Sequence, residues 1–349
     1  MKTKRWLVIL LTAIMLLCGC QQTEESKSVS SEATTKKMQI GMSFDSFVIE
    51  RWQRDRDVFV SLVKDMGAEV NVQNANGDIN EQKKQIEYFI EKGMDAIVII
   101  CIDSNTLAET IEKAKNAGIK VIAYDRLIHN ADVDLYISFD NYEVGKLMGQ
   151  ALADKGIQNG KVIMLGGNIA DDNVPQVETG FKDVMEKNSI EVVDQMHADG
   201  WRAELGGEYI YSHLDIVDEI DGIMCGNDNI ATMVVHALAE NRKADNMLVV
   251  GQDADLEACQ RIVEGTQTMT VYKPVEKLAA RAAECTIALI KGEELSGDDV
   301  MSFNDGKYDV PYVKLTPIAV TVDNMNEVII NSGFHLKEDV YLYSPNKMP

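Results

Sequence analysis

The sequence predicts an α/β protein built from two doubly wound, Rossmann-like lobes. From Met38 onward, short apolar runs alternate with longer amphipathic runs, which is the order of a chain that alternates strands and helices. The apolar runs are nearly continuous, as expected for parallel strands that are covered on both faces. About 310 residues follow Met38, which is more than one hydrophobic core comfortably serves. Because the pattern occurs in two successive series, we expect two lobes of the same kind.

The first series reaches to about residue 140. In its first amphipathic run Phe59, Leu62 and Val63 lie at the spacing of one helix face. A glycine follows each of its three helices, where a left-handed C-terminal cap favours that residue. The predicted strands are 38–44, 68–74, 96–101, 119–124 and 135–140, and the predicted helices lie near 50–66, 80–92 and 104–117, followed by Gly67, Gly93 and Gly118.

The second series begins after Asn141 and repeats the pattern. The helical run 274–291 and the segment from Val310 to the end are compatible with either lobe. The predicted strands are 161–166, 190–196, 222–226, 247–252 and 268–272, and the predicted helices lie near 143–155, 173–188, 202–214, 228–241 and 254–264.

The N-terminus has the features of a secretory signal. Lys2, Lys4 and Arg5 precede an apolar run from residue 6 to 17, which is shorter than the roughly 20 residues of a membrane span. Gly19 before Cys20 and Leu17 three positions before it resemble the lipobox of bacterial lipoproteins. We therefore predict a signal peptide over 1–19, lipidation of Cys20 and an extracytoplasmic, membrane-anchored protein; an uncleaved membrane anchor is the alternative.

Residues 21–37 contain almost no apolar and no aromatic side chains, so this segment is predicted to be a flexible tether. The formal net charge of the chain is −22, and loss of the signal brings it to about −25. Such a charge repels phosphate backbones and anionic lipid, so no nucleic-acid partner is expected. The spacing of cysteines and histidines predicts no metal site and no cofactor. A disulfide among Cys101, Cys225, Cys259 and Cys285 is left open.

Polar side chains recur where predicted strands end. Ligands of an open parallel sheet bind beyond the carboxyl ends of its strands, so these positions are the candidate site. Helix capping is the competing role, most of all for Asp45, Asp228 and Asp255. The candidates are Asp45, Asp125, Arg126, Asp171, Asp172, Asn173, Trp201, Asn227, Asp228, Asp253 and Lys273.

These residue types suit a small neutral polyol. Carboxylates accept hydrogen bonds from sugar hydroxyls, and cations and amides donate hydrogen bonds to them. An indole such as that of Trp201 covers the apolar face of a pyranose ring. The mixture of Asp and Arg argues against an anionic ligand. The chain contains no GxGxxG motif after its first strand, no GxxxxGK, no GxSxG and no HExxH. Binding rather than catalysis is therefore expected, and Gly166-Gly167 is interpreted as a turn that permits a close approach.

Several longer segments carry a resemblance to a known family. They are ERWQRDRDVF (50–59), NANGD (74–78), AYDRLIHNADVDLYISFDN (123–141), GQDADL (251–256), GTQTMTVYKP (265–274) and LTPIAV (315–320). From about Met38 to about Leu336 the chain resembles periplasmic-binding-protein type I sugar receptors, and within them the D-xylose-binding proteins of bacterial ABC sugar importers.

The resemblance implies a ligand site and a partner. The family is a group of non-enzymatic receptors that bind a monosaccharide, here xylose or a related pentose, and deliver it to the permease subunits of an ABC transporter. A monomer is expected. The alternative partner is a membrane histidine kinase or chemoreceptor, for which the same protein would act as a sugar sensor. The residues implied to hold the sugar are Arg51, Asp125, Arg126, Asp171, Asn173, Trp201, Asn227, Asp253 and Lys273.

The family topology implies a three-strand hinge between the lobes. Its crossovers fall near Asp140-Asn141, Val271–Lys273 and Leu315–Pro317. The implied N-terminal lobe is 38–140 plus 273–315, and the implied C-terminal lobe is 141–272 plus 316–349. The chain departs from the family at Asp172, where Asn is common, so an extra carboxylate enters the neighbourhood of the site. If Asp172 faces the ligand, the preference for a pentose is less secure.

Overall fold

Two β-sheets with helices on their faces organise the residues 37–157, 159–245 and 247–349 that this computed structural model describes. The segment Lys37–Pro349 forms one compact unit. The fold class predicted from the sequence is confirmed, and every strand and helix predicted in the two series is present. The predicted signal peptide, Cys20 and all of the predicted tether except Lys37 lie outside the described residues.

The first sheet has seven strands in the described chain, in the order β11-β12-β5-β4-β3-β1-β2. Its central strands are buried along their whole length, which is why their sequences show apolar runs without alternation. All neighbouring pairs are parallel except β11 with β12. The strands are β1 (Met38–Phe44), β2 (Ala68–Asn74), β3 (Ala96–Ile99), β4 (Lys120–Tyr124), β5 (Leu135–Phe139), β11 (Val300–Asn304) and β12 (Asp309–Leu315).

The second sheet has six strands over the same described ranges, in the order β13-β10-β9-β8-β6-β7. Its pairs are parallel except β10 with β13. The strands are β6 (Lys161–Gly166), β7 (Glu191–His197), β8 (Gly222–Cys225), β9 (Leu248–Gln252), β10 (Met269–Tyr272) and β13 (Ile318–Val320).

Helices cover both sheets, and their ends follow local sequence signals. The side chain of Asp78 accepts the backbone N–H groups of Asn80 and Glu81, and Gly265 ends a helix in the left-handed conformation at φ 99°. The helices are α1 (Arg51–Asp65), α2 (Ile79–Glu91), α3 (Ala108–Asn116), α4 (Asn141–Asp154), α5 (Asn173–Lys187), α6 (Glu204–Ser212), α7 (Leu214–Val217), α8 (Asp228–Glu240), α9 (Leu256–Glu264), α10 (Val275–Ile290) and α11 (Lys337–Val340).

We refer to the first sheet with its helices as the first lobe and to the second sheet with its helices as the second lobe. Over the described residues the chain passes between the sheets three times, at Asp140, at 273–274 and at 316–317. After the second passage α10 packs against α1, so this helix lies in the first lobe. The passages after β5 and β12 start from paired strands, and the passages at 273–274 and 316–317 adjoin the paired strands β10 and β13.

The two antiparallel pairs were not predicted from the sequence. In β11 the residues are exposed or half-buried, since this strand lies at the edge of its sheet and has few apolar residues to mark it. The strand β13 has only three residues. Short or exposed edge strands lack the apolar run that identifies a central strand.

The cysteines Cys101, Cys225, Cys259 and Cys285 are free and buried, so the disulfide left open from the sequence is absent among them. Within residues 37–157, 159–245 and 247–349, no helix combines the length and the apolar character that crossing a membrane requires. Across the same ranges there is no group of three His, Cys, Asp or Glu side chains placed to hold a metal ion.

Candidate ligand site between the lobes

A small cavity lies between the two lobes at the carboxyl ends of the parallel strands. Its empty volume, including space open to solvent, is about 290 Å³, and residues of both lobes enclose it. Seven of the nine residues proposed from the sequence line it. The lining is Ile49, Arg51, Trp52 and Asp125 from the first lobe, Asp171, Asn173, Trp201, Gln252 and Asp253 from the second lobe, and Lys273 from the second passage between them.

Arg51 is the first residue of α1 and is only 4% exposed. Its Nε and Nη2 donate to the two carboxylate oxygens of Asp55, at 3.1 and 3.0 Å, one helical turn further on. The hydroxyl of Tyr124 donates to the same carboxylate at 2.5 Å. The guanidinium is thus fixed from behind by its own lobe, with Nη1 directed to Asp125 at 2.9 Å.

Asp125 follows β4 and has a left-handed backbone, with φ 65°. The hydroxyl of Ser138 donates to its carbonyl oxygen at 2.6 Å and supports this conformation. Burial alone would raise the pKa of Asp125, but the charges of Arg51 and Lys273 outweigh it and hold that pKa below its ordinary value. Asp125 therefore stays an ionised acceptor.

Arg126 joins the lobes but does not line the small cavity. Its Nη1 donates to Asp45 at 2.8 Å and to the carbonyl oxygen of Cys101 at 2.9 Å, and its Nε lies 2.7 Å from Asp171 in the second lobe. Asp171 is 1% exposed, and burial raises its pKa to about 6 although Arg126 opposes the shift. This buried ion pair crosses the cleft.

Asn173, at the start of α5, makes a second contact across the cleft. Its Nδ2 donates to the carboxylate of Asp125 at 3.1 Å and to the carbonyl oxygen of the same residue at 3.2 Å. Its side-chain oxygen accepts from Nδ2 of Asn141 at 2.9 Å. The amide is therefore oriented by both lobes.

Trp201 ends a tight turn after β7 and has φ 58°, next to Gly200 at φ 61°. Its indole lies so close to Gly167 that a Cβ at that glycine would fall 2.2 Å from the ring. The close approach predicted for Gly166-Gly167 is thus an approach of an aromatic side chain. The turn places the indole in the cavity wall as a flat apolar surface.

Asp253 follows β9 and is held at φ 98°, a conformation that Asp and Asn adopt more readily than most residues. Its Oδ1 lies 2.8 Å from Nζ of Lys273, and both side chains are buried. Beside it, Nε2 of Gln252 donates to the carbonyl oxygen of Gly226 at 2.5 Å, which directs the other end of that amide toward the cavity.

Three lining residues were missed from the sequence, namely Ile49, Trp52 and Gln252. Trp52 and Gln252 stand directly beside Arg51 and Asp253, inside segments that carry the resemblance, and that adjacency was the available signal.

Asn227, like Arg126, was predicted to hold the ligand but lies outside the lining. It caps α8, its oxygen accepting from the N–H of Ile230 at 3.0 Å. Capping was the competing role for every candidate, above all for Asp45, Asp228 and Asp255. The structure gives it to Asn227 at α8, and the side chain of Asp255 makes no capping hydrogen bond at α9.

Asp172 does not line the small cavity. One carboxylate oxygen accepts from Nε2 of Gln176 at 2.6 Å, and the other lies 2.8 Å from Nε2 of His129. The extra carboxylate noted in the sequence is therefore directed at the first lobe.

The cavity wall has a nearly balanced charge. Arg51 and Lys273 face Asp125, Asp171 and Asp253 across a space from which solvent is largely excluded. Several of its polar atoms have no hydrogen-bond partner among the described residues, including Nε1 of both indoles and Oε1 of Gln252. Buried polar atoms are normally paired, so this wall offers both donors and acceptors to a neutral, polyhydroxylated ligand.

Two α/β lobes, three connections and a polar cavity between them are the features of a periplasmic binding protein. Residues 40–294 match the family described as "Periplasmic binding protein domain", and the chain belongs to this family.

Two named relatives and one solved structure are similar to this chain over most of its length. The chain is 41% identical over 317 residues to the D-xylose-binding periplasmic protein of Haemophilus influenzae, covering 89% of this chain and 95% of that protein. It is 38% identical over 345 residues to the D-xylose-binding periplasmic protein of Escherichia coli, covering 97% and 100%. An ABC transporter solute-binding protein from Clostridium phytofermentans, solved with bound β-D-glucose, is 28% identical with a TM-score of 0.79 and covers 86% of this chain and 99% of that one.

Proposed function

We propose that this protein is an extracytoplasmic receptor that binds one D-xylose molecule between its lobes and delivers it to an ABC sugar importer. The observation that carries the proposal is the small, charge-balanced cavity whose wall comes from both lobes. The two xylose-binding relatives, similar over nearly their whole length, support the choice of a pentose. The function is binding and transport rather than catalysis.

Closure of the lobes is the proposed mechanism. A sugar that contacts both walls binds the closed form more tightly than the open form, and this difference in affinity shifts the population toward closure. The contacts of Arg126 with Asp171 and of Asn173 with Asp125 already join the two walls in this structure. The three passages of the chain between the lobes, at 140, 273–274 and 316–317, would form the hinge at which the lobes bend toward each other.

The sugar-binding set is proposed in two layers. The first layer contacts the ring and its hydroxyls: Arg51, Asp125, Asp171, Asn173, Trp201, Asp253 and Lys273. Arg126 and Asn227 do not line the cavity and form the layer behind it. Each keeps one buried nitrogen, Nη2 and Nδ2 respectively, without an acceptor among the described residues.

The attachment to the cell is a further part of the proposal. Cys20 would be lipidated and would hold the protein, as a monomer, at the outer face of the cell membrane, close to the permease. The sequence features of the N-terminus support this, and labelling with a radioactive or alkyne-bearing fatty acid tests it, since Cys20→Ser should abolish incorporation. Delivery to a sensor kinase or chemoreceptor is the alternative output of the same binding event.

Calorimetric titration of the purified protein, in mild detergent so that an anchored form stays soluble, tests the function. The panel is xylose, ribose, arabinose, glucose and galactose. We expect one-to-one binding with xylose the tightest, and a rise in melting temperature with xylose because ligand binds the native state alone. Heat from none of these sugars would overturn the assignment, and a clear preference for a hexose would overturn the choice of xylose.

A further inference from the structure

His129 and Asp172 meet across the cleft, outside the small cavity. His129 lies after β4 in the first lobe, and Asp172 precedes α5 in the second lobe. Nε2 of the imidazole is 2.8 Å from Oδ1 of the carboxylate, and the side chains are 27% and 18% exposed. The two residues can touch only when the lobes are together, because they belong to different sheets.

Each ring nitrogen of His129 faces an oxygen of another residue. Nδ1 of His129 lies 2.9 Å from the carbonyl oxygen of Asp305, which only accepts, and Nε2 lies 2.8 Å from a carboxylate oxygen of Asp172. A neutral imidazole has one N–H and satisfies one of the two oxygens. A protonated imidazole satisfies both and places a positive charge against Asp172.

Of the neighbouring titratable groups, the carboxylates have partners of their own and the tyrosine is neutral. Asp171, next to Asp172, is paired with Arg126, and Asp103, from the loop after β3, accepts the backbone N–H of Asn105. Tyr136 on β5 is buried, which raises its pKa well above the ordinary value, so this phenol stays neutral. The carboxylate of Asp305, in the turn between β11 and β12, accepts the backbone N–H groups of Ala131, Asp132, Lys307 and Tyr308.

We propose that His129 and Asp172 form a proton-dependent clasp that stabilises the closed form and thereby raises sugar affinity without touching the sugar. Protonation of His129 strengthens a contact that exists only after closure, so it favours the closed form and the bound sugar together. By linkage, sugar binding must in turn promote proton uptake at the clasp. This inference rests on the proposed function, because the clasp forms when the lobes close around a sugar.

A similar pair inside one lobe provides a matched control. Nε2 of His197 on β7 lies 2.8 Å from Oε1 of Glu178 on α5, and the imidazole is 27% exposed, as in His129. Both of these elements belong to the second lobe, so closure neither makes nor breaks this pair. Removing it should leave the pH dependence of sugar binding unchanged.

The test is calorimetric titration of the purified protein with xylose at pH 6.5 and pH 8, each in two buffers with different ionisation enthalpies. The variants are Asp172→Asn, His129→Gln and the control His197→Gln, with melting curves to show that each is folded. We expect wild type to bind about three- to tenfold more tightly at pH 6.5 than at pH 8, with fractional proton uptake. Both clasp variants should bind more weakly at pH 6.5 and lose most of the difference between the two pH values, while the control keeps it.

The comparison of wild type with Asp172→Asn isolates the clasp, because Asp171 also titrates in this region and is retained in both proteins. Equal pH dependence in wild type and in Asp172→Asn, or in wild type and a folded His129→Gln, would overturn the clasp and leave the proposed function intact. If wild type binds another sugar of the panel instead, that sugar serves as the probe. Binding of none of the sugars would overturn the proposed function and the clasp with it.

Discussion

Arg51 in the first lobe and Asp171 in the second lobe are both buried charges in the cavity wall, but their partners lie in different places. Arg51 is held by Asp55 and Asp125, and all three belong to the first lobe. Asp171 accepts the backbone N–H of Asn173 in its own lobe, but its charge partner is Arg126, which belongs to the opposite lobe. The part of the cavity wall that belongs to the first lobe, which we call the first wall, is therefore assembled whenever the first lobe is folded. The part that belongs to the second lobe, the second wall, completes its charge pairing only on closure. The first wall is Ile49, Arg51, Trp52 and Asp125, and the second wall is Asp171, Asn173, Trp201, Gln252 and Asp253.

This difference separates two kinds of residue in one site. A group fixed inside its own lobe is preorganised and loses little freedom when the ligand binds. A group whose partner lies across the cleft contributes to the free energy of closure as well as to contact with the sugar. Substitutions in the first wall should therefore lower both stability and affinity, and substitutions in the second wall should lower chiefly affinity. Asp171 is an exception, because its raised pKa also makes the stability of the fold depend on pH.

Replacement of Asp55 should have the largest effect. Asp55→Ala removes the carboxylate that holds the buried Arg51 from behind, and a buried charge that loses a partner costs about 3–5 kcal/mol. Urea unfolding measures this loss in free energy, and xylose affinity should fall with it. Asp57→Ala, two residues along the same helix and largely exposed, is the control and should unfold like wild type. Matching curves for the two variants would show that the first wall is not held by Asp55.

Asp253→Asn should lower affinity by at least about 100-fold, or about 3 kcal/mol, with little change in the urea midpoint. Asn tolerates the left-handed backbone at this position, whereas Ala would add strain to the loss of the acceptor. Titration with xylose measures the affinity, and the exposed Asp215→Asn is the control. A variant that keeps wild-type affinity would remove Asp253 from the proposed site.

The pH dependence of stability should include a contribution from Asp171 of up to about 3 kcal/mol. Its pKa is raised from 3.8 to about 6 by burial, so the folded protein binds a proton more tightly than the unfolded chain does. This contribution is fully present below pH 3.8 and is lost as pH rises through about 6. Asp171→Asn should flatten the free energy of unfolding over this range, as measured by urea unfolding at several pH values. Burial also raises the pKa of Asp228, to about 7, and the pKa values of Asp45, Asp55 and Asp255, so part of the slope should remain in the variant.

Trp201→Phe should give the smallest effect, a loss of about 1 kcal/mol in xylose affinity, because a flat ring remains in the wall. Its first-lobe counterpart, Trp52→Phe, should lower stability as well, since Trp52 is 2% exposed and its ring contacts Phe44 and the guanidinium of Arg51. Unfolding curves that change in the same way for both variants would contradict the difference between the two walls.

The sequence was sufficient to predict the fold because most strands of this protein are buried on both faces. The runs that form β3 and β5 contain apolar residues at nearly every position, and glycine marks the ends of the first three helices. The edge strand β11 escaped prediction because its exposed residues carry no such pattern. An antiparallel partner at a sheet edge is selected by tertiary contacts that a local pattern does not encode.

The candidate site could be predicted in part for a similar reason. Strand ends identified Asp125, Asp171 and Asp253, since the topology of a parallel sheet brings them to one edge. Ion-pair geometry could not be inferred, because the pairing of Arg126 with Asp171 depends on how two lobes meet. Trp52 was missed because a tryptophan in an amphipathic helix resembles a core residue, and only its position beside Arg51 marked it.

Small-angle X-ray scattering of the purified protein, with and without saturating xylose, tests the central claim most directly. If xylose is held by closure of two lobes, the radius of gyration should fall when xylose is added to wild type and should stay constant when it is added to Asp253→Asn. Saturation of wild type by xylose, verified by titration, with no change in the scattering curve would contradict capture by closure.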